Sequence, residues 1–188
     1  MTVSDSALAE RIRRLEDRVE LADLVAGYCH HLDDCNLDAL GELFTEDITF
    51  GSSSGKGVTG RDKALKFIGE RAAMEDWSFH YPHAQVFEIT GEDEARGVIT
   101  MHAEMGLDGN HMVVAAMRYN DAYQRVDGRW RFRRRTLQYW YCMESSDLVS
   151  TYDNANRKQW PYTAAADLPE SLETWQALHP VKQPAAEA

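Results

Sequence analysis

The strongest constraint on this chain is a change of period near its middle. Phe79–Thr90, Ala95–Met105, His111–Val126 and Arg129–Met143 read as four long strands, rich in Val, Ile, Phe, Tyr and Trp. Asp127-Gly128 is a two-residue hairpin signal between the last two, while Gly91-Glu92-Asp93 and Gly106–Asn110 turn the earlier pairs. Strands joined in this way form an antiparallel meander, whose apolar face needs a cover. The residues before Phe79 supply one, because they carry helical period instead.

Leu15, Val19, Ala22, Val25, Cys29 and Leu32 recur at steps of three and four, which predicts a helix from about Ala7 to Leu32 with these residues inward. The mostly charged residues before Leu15 form a solvated lead-in. Asn36 caps a second, short helix carrying Leu37, Leu40, Leu43 and Phe44 inward. A strand follows around Ile48–Phe50. The Gly- and Ser-rich loop Gly51–Gly57 lacks the spacing of a phosphate-binding motif. A third helix, about Gly60–Ala73, buries Leu65 and Ile68.

The expected class is therefore α+β, helices on one face of a sheet. Three segments are expected: a charged helical lead-in (1–14), the α+β domain (15–144) and a C-terminal extension (145–188). The extension has little period, with Trp160-Pro161-Tyr162 as an anchor, a short helix over Pro169–Leu178 and a frayed tail from Pro180. A segment of this kind covers a pocket or clasps a neighbouring subunit.

Strand parity sorts the side chains. Ile99, Met101, Ala103 and Met105 share the inward face, leaving His102 outside or at the rim. In the last strand Trp130 and Phe132 have one parity, and Leu137, Tyr139, Tyr141 and Met143 the other. A bulge near Arg133–Thr136 reconciles them and turns Arg135 inward, where a cation needs an anionic partner or a function.

With 188 residues, 44% of them apolar, the chain can bury a core, and its formal charge of −11 argues against nucleic acid or an anionic membrane as partner. Three cysteines match no metal or redox spacing. The N-terminus lacks a signal peptide's apolar core and no stretch approaches a membrane span, so a cytoplasmic protein is expected.

The chemically capable residues are Asp33, closing the first helix, and His80, opening a strand. An imidazole that moves protons, oriented by a carboxylate, is a minimal acid–base device. An ordinary turn accounts for Asp33 equally well, and a satisfied strand histidine accounts for His80. Tyr28 reads as a core aromatic or as a donor. His80, His83 and His102 are an unfavoured metal set, since residues three apart on a strand face opposite ways. No serine elbow or Cys–His signature marks a nucleophile.

The segments YCHHLDDCNLDALGELF (28–44), FHYPHAQVFEI (79–89) and GNHMVVAAMRYNDAYQRVDGRWRFRRR (109–135) resemble the SnoaL-like branch of the nuclear transport factor 2-like superfamily. Its lyase members include hexachlorocyclohexane dehydrochlorinase, bile-acid 7α-dehydratase and scytalone dehydratase. The resemblance covers roughly Leu15–Met143 and implies a cone-shaped curved mixed sheet, closed at its narrow end by helices, of the cystatin-like type. It further implies Asp33 and His80 as a catalytic dyad, with Tyr28 and Arg135 stabilising the group that gains charge. Ile99, Met101, Ala103, Leu137 and Tyr139 would line the substrate cavity. Where the dehydrochlorinase has a lysine this chain has Tyr28, which favours oxygen over chloride as the leaving group.

The implied activity is cofactor-independent, metal-free elimination on a hydrophobic hydroxylated aromatic, terpenoid or steroid-like molecule: dehydration, or C–C cleavage with loss of a small aldehyde. An isomerase or polyketide-cyclase proton shuttle is the alternative, as is a non-catalytic small subunit of a ring-hydroxylating dioxygenase. A homotrimer is also implied.

Overall fold

The computed structural model of the chain describes residues 4–55, 57–109, 111–152, 156–160 and 164–179. In order, the elements are α1 (Asp5–Asp33), α2 (Leu37–Glu42), β1 (Phe44–Ser52), β2 (Gly57–Thr59), α3 (Arg61–Ala72), β3 (Trp77–Ile89), β4 (Glu94–Leu107), β5 (His111–Val126) and β6 (Arg129–Glu144). A 3-10 helix (Ser145–Tyr152), β7 (Lys158–Gln159), β8 (Ala164–Ala165) and α4 (Glu173–Leu178) complete it. Pro161, Tyr162 and the expected tail from Pro180 lie outside the described residues.

The sheet runs β2-β1-β6-β5-β4-β3, with β7 and β8 added beside β6. Hairpins make β3 to β6 antiparallel, whereas β1 lies parallel to β6. The result is an α+β fold: N-terminal helices packed on a curved, unclosed mixed sheet. Among the described residues no helix is long and apolar enough to cross a membrane.

The four long strands fall within a few residues of their expected limits. Ile99, Met101, Ala103 and Met105 are all buried and His102 is exposed, as alternation requires. A bulge sits where parity demanded one: Tyr123 pairs with Phe132 and Ala122 with Arg134, leaving Arg133 unpaired. Arg135 is thereby turned into the core. A second bulge, at Trp140, was not anticipated. Ala116 pairs with Tyr141 and Met117 with Tyr139, so Tyr141 leaves the face of Leu137 and Tyr139 and meets His102 on the other side.

The inward face of α1 differs from expectation. Leu21, Leu24, Val25, Tyr28 and Cys29 are buried, together with Asp17, whereas Leu15 and Val19 are 64% and 60% exposed. The physical reason is that the packed stripe contains a charge with dedicated partners. Asp17 Oδ1 accepts hydrogen bonds from Arg125 (2.5 Å) and the Trp130 indole (3.1 Å), which removes the cost of burying its carboxylate. The helix also starts earlier, capped by Ser4, whose side chain accepts the Ala7 N–H.

Phe44 is inward as expected, but as the first residue of β1 rather than on the second helix. Asn36 caps α2 and the helix stops at Glu42, after which Phe44 pairs with Phe132. The expected loop ends in β2, which starts at its last residue and returns along β1; at Gly57 a Cβ would stand 2.9 Å from the Phe50 carbonyl oxygen. The C-terminal helix is shorter than expected, since Pro169–Ser171 forms a turn.

Candidate active site

Asp33 ends α1, at the negative pole of a 29-residue helix, where a carboxylate gains nothing from the helix dipole. Both of its oxygens are instead held by one residue of β3. Oδ2 accepts the His80 backbone N–H at 2.9 Å, and Oδ1 lies 2.6 Å from Nδ1 of the His80 ring. The His80 side chain is 7% exposed and that of Asp33 18%. This two-point contact fixes the ring's orientation, and with Nδ1 donating to Asp33 the remaining nitrogen is Nε2.

His80 is part of the wall of a narrow cleft that includes Tyr28, Leu32, Arg71, Glu75 and Tyr119. Next to it is a cavity of about 420 Å³, the two sharing Phe50, Phe67, Arg71 and Leu137. Tyr139, Trp160, Met74 and Glu70 are among the other residues lining the larger space. Burial pushes the Tyr28 phenol up to about 12, although the Arg135 cation pulls the other way, so the hydroxyl keeps its proton at neutral pH.

Of the residues singled out in the sequence, Tyr28, His80, Leu137 and Tyr139 line these spaces, with Asp33 directly behind His80. Ile99, Met101 and Ala103 do not; they are buried in the core. Arg135 does not line them either. It is fully buried, its guanidinium carbon 4.0 Å from the ring centres of Tyr28 and Tyr119 and 4.5 Å from that of Phe132. Its Nε is 3.6 Å from Asp121, and none of its three nitrogens makes a hydrogen bond among the described residues. Burial pushes the Asp121 carboxyl up to about 6 despite this neighbouring cation.

Sequence reasoning missed Arg71. It lies on α3 one turn beyond Ile68 and two beyond Ala64, both buried, so an arginine on the apolar face of a helix was the available signal. Its Nε is 3.5 Å from Glu75, its NH2 nitrogen 3.8 Å from the Met105 sulfur, and its guanidinium lies over the Trp160 ring. The extension beyond β6 thus contributes a wall residue, Trp160, and is tied to the sheet through Asp167, which accepts the Tyr139 N–H at 2.8 Å and the Ser53 hydroxyl at 2.5 Å.

His83 and His102 are hydrogen-bonded to each other at 2.7 Å on the opposite side of the sheet from the cleft. His80, His83 and His102 therefore do not converge, and among the described residues no cluster of three His, Cys, Asp or Glu side chains suits a metal ion.

The comparisons agree with this architecture. A hexachlorocyclohexane dehydrochlorinase (LinA) type 2 structure superposes with a TM-score of 0.67 at 21% identity, covering 71% of this chain and 92% of its own. A Novosphingobium aromaticivorans DSM 12444 protein, named only provisionally as a scytalone dehydratase, gives 0.66 at 23% identity over 70% of this chain and 89% of its own. An NTF2-like protein with a cystatin-like fold from N. aromaticivorans gives 0.61 at 26% identity, covering 73% and 90%. No curated protein matches the chain. The SnoaL-like domain matches residues 13–136, from α1 through the bulged half of β6, and the chain belongs to that family.

Proposed function

We propose that the chain is a cofactor-independent lyase in which His80 moves the proton and Asp33 orients it. The observation that carries this is the two-point hold of Asp33 on His80 at a cleft adjoining a large cavity with four aromatic side chains in its wall. In a dehydration, Nε2 takes a proton from carbon, the released electron pair forms the double bond, and the C–O bond breaks. The Tyr28 phenol gives its proton to the departing hydroxyl, releasing water, and the proton on His80 then restores Tyr28. In the C–C cleavage variant the proton comes from a substrate hydroxyl, a carbonyl forms as the C–C bond breaks, and the carbanion is protonated.

Arg71 is the cation placed to meet developing negative charge, because it lines both spaces. Arg135 acts from behind, through the Tyr28 ring it covers. Phe50, Phe67, Tyr139 and Trp160 suit a hydrophobic, hydroxylated aromatic or steroid-like molecule. The homotrimer implied by the resemblance belongs to this proposal, and solution mass tests it.

The test is a panel of such alcohols, followed by mass spectrometry of the products. His80→Ala and Asp33→Asn should each lower turnover by about 10²- to 10⁴-fold with unchanged circular dichroism. Full activity in either variant sinks the proposal. A product of unchanged mass would instead assign the same proton transfer to an isomerase.

A further inference from the structure

The first two-thirds of α1, which runs from before the family domain into its start, carries an apolar stripe that its own fold does not use. Leu8, Ile12, Leu15 and Val19 are 48%, 47%, 64% and 60% exposed, and they lie roughly 180° around the helix from the packed face of Asp17, Leu21 and Leu24. Their spacing, continued to Ala22, alternates four and three. That is the 3.5-residue repeat of a helix seam facing another helix. From Ser4 to Glu16 nearly every residue is exposed, and a solvated helical arm of this length is marginal unless its apolar face is covered.

The flanks identify the cover. With Ile12 and Val19 in the a positions and Leu8, Leu15 and Ala22 in the d positions, Arg11 and Arg18 fall at g and Glu16 and Asp23 at e. In a parallel pair each g residue faces the e residue five positions later on the partner helix. Arg11 then meets a Glu16 and Arg18 an Asp23, on both sides of the seam. An antiparallel pair would set arginine against arginine and acid against acid. Among the described residues Arg11, Glu16 and Asp23 have no ion pair within the chain, and Arg18 makes a 3.3 Å hydrogen bond to the Phe87 carbonyl oxygen. β-Branched residues at a with leucine at d favour two strands.

We propose that α1 pairs two copies of this chain through a parallel two-stranded coiled coil over Leu8–Ala22, about 21 Å long. The bodies of the two subunits lie outward, because each packs on the opposite face of its own helix. This contact is independent of the proposed chemistry and of any further assembly.

Disulfide trapping tests it on the full chain. In a Cys35→Ser background, which removes the exposed thiol among the described cysteines, Leu8→Cys should oxidise to a covalent dimer, since in-register d positions bring the two residues together. Arg11→Glu or Glu16→Arg added singly should each lose that cross-link, and mixing the two charge variants should restore it. Absence of a Leu8→Cys cross-link overturns the proposal. So does preferential cross-linking of Leu8→Cys to Val19→Cys chains, the antiparallel outcome, or failure of the mixed charge variants to recover.

Discussion

Arg71 and Arg135 are both inward-facing, and Tyr119 stands near each, yet they occupy unlike settings. Arg71 borders two open spaces and is partnered on one side by Glu75. Arg135 is sealed behind Tyr28 and Tyr119, with three rings against its guanidinium and the Asp121 carboxylate beside it. The difference separates a cation that can reach a ligand from one that can only hold the wall. A buried cation over aromatic faces gains on the order of 2 kcal/mol from each well-placed ring when desolvated, which offsets part of its desolvation without hydrogen bonds.

The largest effect expected from this contrast is on stability, at the sealed site. Asp121→Asn leaves Arg135 with no anion beside it and should cost about 3–5 kcal/mol in urea unfolding. Adding Arg135→Met should recover much of that loss, because the pair is removed together and an apolar side chain can fill the ring-lined space. If Asp121→Asn is neutral, Arg135 is not the confined cation described above.

The opposite pattern is expected at the open site. Arg71→Met combined with Glu75→Gln removes both members of an ion pair that borders the cleft. Because both members of this largely buried pair are replaced together, little stability should be lost, but KM for the turnover substrate should rise about tenfold, equivalent to about 1.4 kcal/mol of binding. Unchanged KM would place substrate elsewhere, whereas a stability loss as large as that of Asp121→Asn would erase the contrast.

How much of this was legible in the sequence depended on whether a residue's partner was local. The strands and the Arg133 bulge could be read because alternation and parity are properties of a single strand, and Asp127-Gly128 gave the register of the last hairpin. The face of α1 could not, because that helix carries two apolar stripes and periodicity does not say which one meets the sheet. Arg125 and Trp130, more than 100 residues away, decide it by satisfying Asp17. Arg71 was passed over because an arginine on an amphipathic helix ordinarily faces solvent. Asp33 and His80 are 47 residues apart, and only the family resemblance suggested that they meet.

A last test sharpens the contrast through pH. Asp121 in the folded state has its pKa raised from the ordinary 3.8 to about 6, chiefly by burial, with Arg135 opposing the shift. Between those values the folded chain holds this proton more tightly than the unfolded chain does. This group alone therefore makes stability fall as pH rises through that window, and the cost is fully present above it. The double variant Asp121→Asn with Arg135→Met lacks the titrating carboxyl. Its urea unfolding free energy should lose this downward component between about pH 4 and 6 while keeping the pH dependence of all other groups. Subtracting one profile from the other isolates the sealed site. A flat difference would mean that Arg135 neutralises Asp121 as completely as an exposed ion pair would, and the two arginines would then differ in position but not in electrostatics.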